Sequence, residues 1–427
     1  MTALLEGGVV VVGAGAAGLS AAAHLRAQGV AVTLLEAGPR IGGRAHTVRP
    51  AALGGEVLDL GASWLHAADC NPLVRLAGPE DELINSDVLG TERLFVAGRN
   101  ATAAEQGGYD ACWEAVEHLA PGDADNSLAA LMAGLPGPWA PTVALWEGAI
   151  IAAADADDLS AQDWRRNLLP PPNLLVRDGL GSFVARRLAT PAWLDTPATR
   201  IGWDGVGVVP GVVPGVVVET PRGTLRAAAC IVTVSTGVLA GGAIRFDPPL
   251  PQAVQAAVDG LPMGLLTKVA LPADGDGRLG VADNSTLARQ VTVGEAGMTF
   301  NAWPLGRAHL VGFVGGRAAW AVAGDDAAAE DFAREQVQAM LGAVRLGAGA
   351  VVTGWGTDTL ARGAYAYARP GHAGARAALA DAFPGERLLF AGEATRTDGL
   401  AGTVGGAWLS GRDAAARLLQ GGIDPSR

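Results

Sequence analysis

The first forty residues carry the feature that most constrains the fold, a glycine-rich turn between a predicted strand and a predicted helix. Val9–Val12 is a β-branched run bounded by glycines, which is typical of a buried parallel strand. Helix-favouring residues follow at 16–28, and a second apolar run, Val32–Leu35, ends in Glu36. This order of elements predicts a β-α-β unit at the start of a parallel sheet.

The turn of this unit has the spacing of a dinucleotide-binding site. Gly13, Gly15 and Gly18 form a Gly-x-Gly-x-x-Gly pattern, and Glu36 follows at the end of the second strand. In such a turn, Gly13 makes the tight bend, Gly15 lets the backbone approach a pyrophosphate, and Gly18 packs helix on strand. The helix that starts at Ala16 presents free N–H groups to the anion. Glu36 would accept hydrogen bonds from ribose hydroxyls, which disfavours a 2′-phosphate.

The segment after the second strand favours FAD over NAD as the dinucleotide. Residues Arg40 and Arg44 enclose a flexible glycine pair. Guanidinium groups bind phosphate oxygens in a bidentate geometry, and the pair Gly42 and Gly43 allows close approach. The segment therefore suits a pyrophosphate and the edge of an isoalloxazine ring.

Composition limits the possible partners. The net charge of −12 leaves no basic surface to follow a phosphate backbone, so nucleic acid is not expected. No apolar run approaches the ~18 residues of a transmembrane helix, and residues 1–8 contain no Lys or Arg, so they lack the positively charged start of a secretory signal. The cysteines Cys70, Cys112 and Cys230 are far apart and fit reduced thiols, without a metal-ligand spacing. We therefore expect a cytoplasmic protein with no membrane partner and no bound metal.

Lysine usage singles out one residue. Of the 31 Lys and Arg residues, only Lys268 is a lysine. Because arginine serves wherever only a positive charge is needed, a sole lysine suggests a site that requires a compact, titratable ammonium on a flexible stem. The alternative from composition alone is one surface lysine that survived a compositional bias.

The chain is long enough for two domains, and two further β-branched runs predict how they are arranged. Residues 231–234 and 387–390 are expected to rejoin the first sheet. We therefore predict an FAD-binding domain of residues 1–75, 176–248 and 379–427, and a discontinuous substrate-binding domain of residues 76–175 and 249–378. Prolines in the near-repeat at 206–218 predict an edge hairpin or an extended loop there.

Motifs along nearly the whole chain resemble those of the flavin amine oxidase family, which includes monoamine oxidases, polyamine oxidases and histone lysine demethylases. They are LDLGASWLH at 58–66, NP at 71–72, VTVSTGVL at 232–239, MGLLTK at 263–268, RGAY at 362–365, FAGEAT at 390–395 and GTVGGA at 402–407. The resemblance implies an α/β fold: a Rossmann-like FAD-binding domain of the amine oxidase type with an α+β substrate domain. It also implies oxidation of a C–N bond of a polyamine or related amine by hydride transfer to flavin N5, imine hydrolysis, and reoxidation by molecular oxygen to hydrogen peroxide.

The resemblance also implies roles for single residues. Lys268 corresponds to the lysine near flavin N5, Trp355 to the aromatic that packs on the flavin, and Tyr365 to one wall around the amine. Substrate contacts are implied for Trp64, His66, Tyr365 and Thr403. Besides the two N-terminal motifs, the implied cofactor-binding residues are Gly61, Ala62, Ser63, Trp64, Ala198, Trp355, Gly392, Glu393, Gly402, Thr403 and Val404. Since Ala364 stands where monoamine oxidases carry the flavin-linked cysteine, non-covalent FAD is expected.

Departures from the family pattern leave the substrate open. The second aromatic wall is missing, because Leu400 and Thr403 stand where different branches have a tyrosine. An L-amino-acid oxidase would carry an arginine close to Ser63, which this chain lacks. Another FAD-dependent dehydrogenase would not need Lys268, and a flavin-binding protein without turnover is favoured only by the missing wall. No long charged heptad segment is present for a histone demethylase. The physiological electron acceptor and the oligomeric state also stay open.

Overall fold

The structure is a computed structural model that describes residues 3–4, 8–204, 215–273 and 278–421. The strands are β1 Ala3–Leu4, β2 Val9–Val12, β3 Val32–Leu35, β4 Thr47–Val48, β5 Leu58–Asp59, β6 Trp64–Leu65, β7 Leu83–Asn85, β8 Glu92–Val96, β9 Arg99–Asn100, β10 Leu174–Val176, β11 Arg200–Gly202, β12 Val216–Thr220, β13 Gly223–Ala227, β14 Ala229–Val232, β15 Arg245–Asp247, β16 Met263–Gly264, β17 Leu266–Pro272, β18 Ser285–Arg289, β19 Thr299–Ala302, β20 His309–Gly315, β21 Val351–Val352, β22 Tyr365–Ala366 and β23 Leu388–Phe390. The α-helices are α1 Ala16–Ala27, α2 Ala103–Glu117, α3 Leu128–Met132, α4 Ala140–Ala144, α5 Ala161–Arg166, α6 Leu180–Arg187, α7 Thr236–Ala240, α8 Gln252–Asp259, α9 Gly316–Ala321, α10 Asp326–Leu341, α11 Ala375–Asp381 and α12 Val404–Gln420, and Leu145–Ala152 is a π-helix.

A parallel four-stranded sheet in the order β23-β14-β2-β3 contains the N-terminal motif. Strand β2 lies between β3 and β14, with each of its valines paired on both sides. All four residues of β2 are buried, which explains why the strand is a continuous apolar run. The predicted β-α-β unit is confirmed. The two predicted returning strands are confirmed as β14 and β23, with β14 beginning and ending two residues earlier than expected.

Helices α1 and α12 cover one face of this sheet and pack on each other. Their contact is close because a methyl group at Gly411 would lie 1.9 Å from the carbonyl oxygen of Ala17. A methyl group at Gly18 would lie 1.8 Å from the carbonyl oxygen of Gly13. These two glycines are therefore required for packing, and they fix the start of α1 over the end of β2.

A second sheet, in the order β1-β13-β12-β11-β15, contains part of the near-repeat at 206–218. Residues 206–214 of this near-repeat lie outside the described residues. For residues 216–218 the prediction of an edge hairpin or loop was wrong. They belong to β12, which pairs with β11 on one side and β13 on the other. The last proline of the repeat precedes this strand, so the strand keeps all its ladder N–H groups.

A seven-stranded sheet, in the order β21-β17-β20-β19-β18-β8-β9, contains the sole lysine. Lys268 on β17 is paired with Phe313 on β20, which is paired with Thr299 on β19. Since paired residues share a face of the sheet, these three side chains point the same way. The opposite face is apolar, and α10 packs there. The predicted residue limits of the two domains stay a prediction.

Within the described ranges, no helix combines the length and the apolar character needed to cross a bilayer.

Candidate active site

A cavity of about 1370 Å³ runs from the glycine turn after β2 to the seven-stranded sheet. Its lining includes every site residue predicted from the sequence except Gly18. Gly18 instead lies under the turn, where it packs against Gly13. The turn, the arginine segment, the lysine and the aromatic residues are therefore brought together around one space.

The turn at one end of the cavity is shaped as a cradle. Gly13 has a φ of +102°, a conformation that favours glycine. A methyl group at Gly15 would meet no protein atom within 4 Å, and the same is true at Gly392. Glycine at these two positions therefore opens the cavity and is not needed for protein packing. The backbone of Ala16 begins α1 at this point, so free N–H groups face the same region.

Glu36 lies at the end of β3, beside the turn. Its Oε2 accepts a hydrogen bond from Ala14 N at 2.7 Å, and its Oε1 accepts one from Gly38 N at 2.8 Å. These bonds fix the carboxylate at the cavity wall. A carboxylate oxygen can accept more than one hydrogen bond, so Glu36 can also bind the hydroxyls of a ligand. Ala198 lines the same end of the cavity.

The arginine segment joins the turn to the C-terminal part of the chain. Arg44 Nη1 donates to Ala364 O at 2.7 Å and to Glu393 Oε1 at 2.9 Å. Glu393 Oε1 also accepts from Ala366 N at 3.1 Å. The other oxygen, Glu393 Oε2, is buried and has no hydrogen-bond partner among the described residues. A buried acceptor without a donor is costly, so this oxygen fits a hydroxyl of a group bound in the cavity.

The remaining residues of this segment also line the cavity. Burial lowers the pKa of Arg40, while Glu36 and Asp358 oppose that effect. The pair Gly42 and Gly43 follows Arg40 along the wall. The guanidinium of Arg40 donates to Ile41 O at 3.2 Å, which leaves most of its N–H groups for other acceptors.

The start of helix α12 forms a further part of the cavity wall. Thr403 is its N-cap: its Oγ1 accepts from Gly406 N at 2.9 Å and donates to Leu400 O at 2.8 Å. The hydroxyl of Thr403 is therefore engaged within the chain. The backbone at Thr403 and Val404 stays at the cavity wall, where the helix dipole favours negative charge.

Lys268 lies at the cavity wall on β17, and its ammonium has three acceptors. Its Nζ donates to Asp59 O at 2.9 Å, Gly61 O at 2.5 Å and Ser63 Oγ at 2.6 Å. Burial lowers the pKa of Lys268 to about 8, an effect that Asp59 partly opposes. The lysine is therefore buried in the cavity wall and titrates close to neutral pH. The hypothesis of a chance surface lysine was wrong.

Aromatic side chains surround this lysine. Lys268 Nζ lies 6.0 Å from the ring centroid of Trp64 and 5.8 Å from that of Phe313. Trp355 donates from Nε1 to Leu60 O at 2.8 Å, and its ring lies against Gly61. Ala62 continues this wall. The carbonyls that hold the lysine and the tryptophan therefore come from one short segment, residues 59–61, at the end of β5.

His66 and Tyr365 form further parts of the wall. The ring of His66 stacks on Trp64, and its Nδ1 lies 2.8 Å from Asn173 Oδ1. Burial lowers the pKa of His66, which favours the neutral imidazole. Tyr365 donates from its hydroxyl to Ile151 O at 2.8 Å, and burial raises its pKa.

Gly402 lies beside the ring of Tyr365, two residues before α12 begins. A methyl group at Gly402 would lie 3.6 Å from the ring, so this position itself places no side chain against Tyr365. Leu400 is 3% exposed and does not line the cavity. It therefore does not replace the missing aromatic wall.

Sequence reasoning missed several residues of the cavity. Phe313, Glu92 and Glu147 belong to no motif that we recognised in the sequence. Phe313 could have been found from the alternation of β20, once β20 was known to pair with β17. The two glutamates carry no sequence signal, because only the folded chain brings them to the cavity.

The sequence matches two family models and several curated proteins. Residues 86–419 match the family model of flavin-containing amine oxidoreductases, and residues 11–77 match that of NAD(P)-binding Rossmann-like domains. Polyamine oxidase 4 of Oryza sativa subsp. japonica is 29% identical over 465 residues, which cover 97% of this chain and 90% of the relative. Polyamine oxidase 2 of Arabidopsis thaliana is 32% identical over 301 residues, 62% of this chain and 58% of the relative.

A solved structure of putrescine oxidase bound to putrescine has the same fold. It superposes with a TM-score of 0.77 at 19% sequence identity, over 98% of this chain and 100% of the other. The predicted fold class, a Rossmann-like FAD-binding domain of the amine oxidase type with an α+β part, is confirmed. The two family models together match the N-terminal motif and most of the remaining chain. The chain therefore belongs to the family of flavin-containing amine oxidoreductases, which are FAD-dependent enzymes.

Proposed function

We propose that the enzyme oxidises a C–N bond of a polyamine or a related amine, with molecular oxygen as the electron acceptor and hydrogen peroxide as a product. The observation that carries this proposal is the position of Lys268. The sole lysine of the chain is buried at the wall of a cavity that begins at the dinucleotide turn and ends among aromatic residues. Polyamine oxidases among the relatives support the choice of substrate.

The residues that would hold FAD fit its chemistry. The pyrophosphate would lie at Gly13, Gly15 and Ala16, with the guanidinium groups of Arg40 and Arg44 near it. Glu36 and Glu393 offer acceptors for hydroxyl groups. The other residues that we propose to bind FAD are Gly18, Gly42, Gly43, Gly61, Ala62, Ser63, Trp64, Ala198, Trp355, Gly392, Gly402, Thr403 and Val404. Gly18 acts through packing, and the absence of a cysteine at Ala364 makes the binding non-covalent.

When bound, FAD would supply the two-electron chemistry, as a hydride acceptor at N5 for the carbon next to the amine nitrogen and as a reductant of dioxygen to hydrogen peroxide. Water would hydrolyse the imine product. Trp64, His66 and Tyr365, which line the cavity, would form the walls of the substrate space, and Thr403 would lie at its edge. Because these walls are largely aromatic, they favour the neutral amine that can be oxidised. Lys268 would hold water at the reacting face, and its pKa of about 8 allows it to give or take a proton near neutral pH.

A peroxide-coupled assay over polyamines, monoamines and amino acids tests this function. We expect turnover with amines and none with amino acids, since Ser63, Trp64 and Leu65 stand in the sequence where L-amino-acid oxidases carry the arginine that binds a carboxylate. The Lys268→Met variant should keep its flavin and lose about two to four orders of magnitude in turnover. If wild-type protein with bound FAD oxidised no amine, or if Lys268→Met were fully active, the proposal would be wrong.

We also propose the setting in which the enzyme works. Its acidic surface and unpaired cysteines fit a cytoplasmic protein without nucleic-acid or membrane partners. Fractionation of cells that express a tagged chain would test this location.

A further inference from the structure

The ammonium group of Lys268 has no N–H group left for a ligand. A protonated lysine carries three N–H donors and no acceptor. Its Nζ lies 2.9 Å from Asp59 O, 2.5 Å from Gly61 O and 2.6 Å from Ser63 Oγ, so each donor has one acceptor within the chain. A molecule in the cavity is therefore separated from the protonated lysine by one of these three acceptors.

Ser63 differs from the other two acceptors because it can pass a proton on. The backbone oxygens of Asp59 and Gly61 accept hydrogen bonds but carry no hydrogen. A serine hydroxyl is both an acceptor and a donor. Because an ammonium can only donate, the oxygen of Ser63 is the acceptor in its contact with Lys268. The hydrogen of the Ser63 hydroxyl is therefore available to a different partner.

The hydroxyl of Ser63 is available to the cavity. Ser63 and Lys268 both line it. Within the described part of the chain, Ser63 Oγ makes one hydrogen bond, which is the one that it accepts from Lys268. Its hydrogen can therefore bond to a molecule in the cavity. A water at the reacting face would bind to Lys268 through this hydroxyl.

The other groups around Lys268 offer no second path for a proton. Its Nζ lies 6.0 Å from the ring centroid of Trp64 and 5.8 Å from that of Phe313, and neither ring takes up a proton. Asp59 is the charged group that acts on the lysine within the described ranges. Its carboxylate accepts from Leu180 N at 3.0 Å and Gly181 N at 3.2 Å, at the start of α6. That carboxylate is held by the helix, while the lysine contacts the backbone oxygen.

We propose that Ser63 is the proton relay between Lys268 and the cavity, and that it delivers a proton when dioxygen is reduced. This inference rests on the proposed use of dioxygen as the electron acceptor. Reduced FAD in its monoanionic form brings two electrons and one proton. Hydrogen peroxide needs two electrons and two protons, so one further proton must be supplied.

The relay supplies that proton in one concerted step. An Nζ–H bond of Lys268 breaks as a new Oγ–H bond forms on Ser63, and the original hydroxyl proton of Ser63 moves to the peroxide oxygen. Lys268 is left as a neutral amine and takes a proton back from water by the same path. Burial lowers the pKa of Lys268 to about 8, so both forms of the lysine are accessible near neutral pH.

Reoxidation of the chemically reduced holoenzyme tests the relay without an amine. The FAD-bound protein is reduced with dithionite and mixed with oxygen in a stopped-flow instrument, and the return of flavin absorption is followed. Ser63→Ala should slow reoxidation by about a hundredfold. Ser63→Thr keeps the hydroxyl and should restore the rate to within about threefold of wild type. Ser182→Ala, at a serine of α6 that does not line the cavity, is the matched control and should react like wild type.

A double variant shows whether Lys268 acts through Ser63. If the proton of the lysine passes through Ser63, Lys268→Met should cause little further loss of reoxidation rate in the Ser63→Ala protein. Losses that multiply in the double variant, or a Ser63→Ala protein that is reoxidised like wild type, would overturn the relay. Should Ser63→Ala fail to fold, Ser63→Cys, whose thiol is a weaker donor and acceptor, should show a smaller loss of the same kind.

The sole lysine also allows a measurement that needs no reaction. Protein labelled with [ε-¹³C]lysine gives one side-chain NMR signal, from Lys268, and its titration reports the pKa of that residue. Ser63→Ala should lower this pKa by about one pH unit, because the ammonium loses one of its three acceptors, and Ser63→Thr should leave it unchanged. An unchanged pKa in Ser63→Ala would show that Ser63 does not bind the lysine, which would overturn the relay.

These experiments separate the relay from the proposed function. Turnover of amines together with reoxidation that is insensitive to Ser63→Ala would refute the relay alone. Absence of turnover with any amine, together with reoxidation that depends on Ser63 in the chemically reduced protein, would refute the oxidation of amines alone.

Discussion

At the scale of single residues, the pKa of Lys268 links the site to stability. The pKa is about 8 in the folded protein and 10.5 as its ordinary value. Between these values the unfolded chain binds more protons than the folded one, so the free energy of unfolding rises with pH. From pH 8 to pH 10.5, wild type should gain on the order of 3 kcal/mol relative to Lys268→Met. Denaturant titrations of both proteins at the two pH values measure this gain. A difference that is independent of pH would show that the lysine is not buried.

Glu393 gives a second residue-level prediction. Its Oε1 accepts from Arg44 and Ala366, and its Oε2, which has no partner within the described ranges, can accept from a ligand hydroxyl. Glu393→Ala should weaken FAD binding by about ten- to a hundredfold, because both the ligand bond and the position of Arg44 are lost. Titration of the FAD-free protein with FAD, followed by flavin fluorescence, measures this. Glu386→Ala, at an exposed glutamate of the same region, should bind FAD like wild type.

Individual residues could be predicted from the sequence where their spacing is fixed by a local motif. Gly13, Glu36 and Arg44 all line the cavity as expected. Glu147 and Glu92 could not be predicted, because each reaches the cavity through contacts between distant segments. Thr403 was predicted by position, but the use of its hydroxyl as an N-cap is visible only in the folded chain.

At the scale of elements, the β2 turn and α1 depend on two glycines for different reasons. In Gly18→Ala the added methyl group would lie 1.8 Å from the carbonyl oxygen of Gly13. This clash should destabilise the FAD-free protein by about 1–3 kcal/mol. Gly15→Ala meets no protein atom, and Gly15 has a φ of −74° that alanine can adopt. It should stabilise the FAD-free protein by about 0.4–1 kcal/mol and weaken FAD binding.

Urea unfolding without FAD and FAD titration of the same two variants distinguish these effects. If Gly15→Ala bound FAD as tightly as wild type, the cofactor could not lie over this turn. If Gly18→Ala unfolded like wild type, the close packing between α1 and β2 would be wrong.

The parallel sheet could be predicted from the sequence because its strands are continuous apolar runs. The pairing of strands in the seven-stranded sheet could not be predicted from the sequence. Strand β8 pairs with β18, which is far along the chain, and a short strand of mixed polarity carries no signal for its partner. The π-helix Leu145–Ala152 has an almost wholly apolar sequence, which shows no period that distinguishes it from a strand.

At the scale of the whole molecule, the cavity joins the parallel sheet to the seven-stranded sheet. A ligand that contacts both sheets should stabilise the two sheets against unfolding together. At a free FAD concentration of a hundred times the Kd, the folded state should gain about 2.7 kcal/mol. Thermal unfolding with and without FAD should therefore show a higher Tm with FAD in one transition. An unchanged Tm would mean that FAD does not bind between the sheets.

The central claim is that one cavity holds FAD and an amine beside Lys268. Anaerobic mixing of the FAD-bound protein with a diamine, followed by visible absorption, tests it most directly. The flavin absorption band should be bleached by the diamine in wild type and return when oxygen is admitted, with hydrogen peroxide formed. A protein that stays colourless with added FAD, or a flavin band that no amine bleaches, would contradict the account.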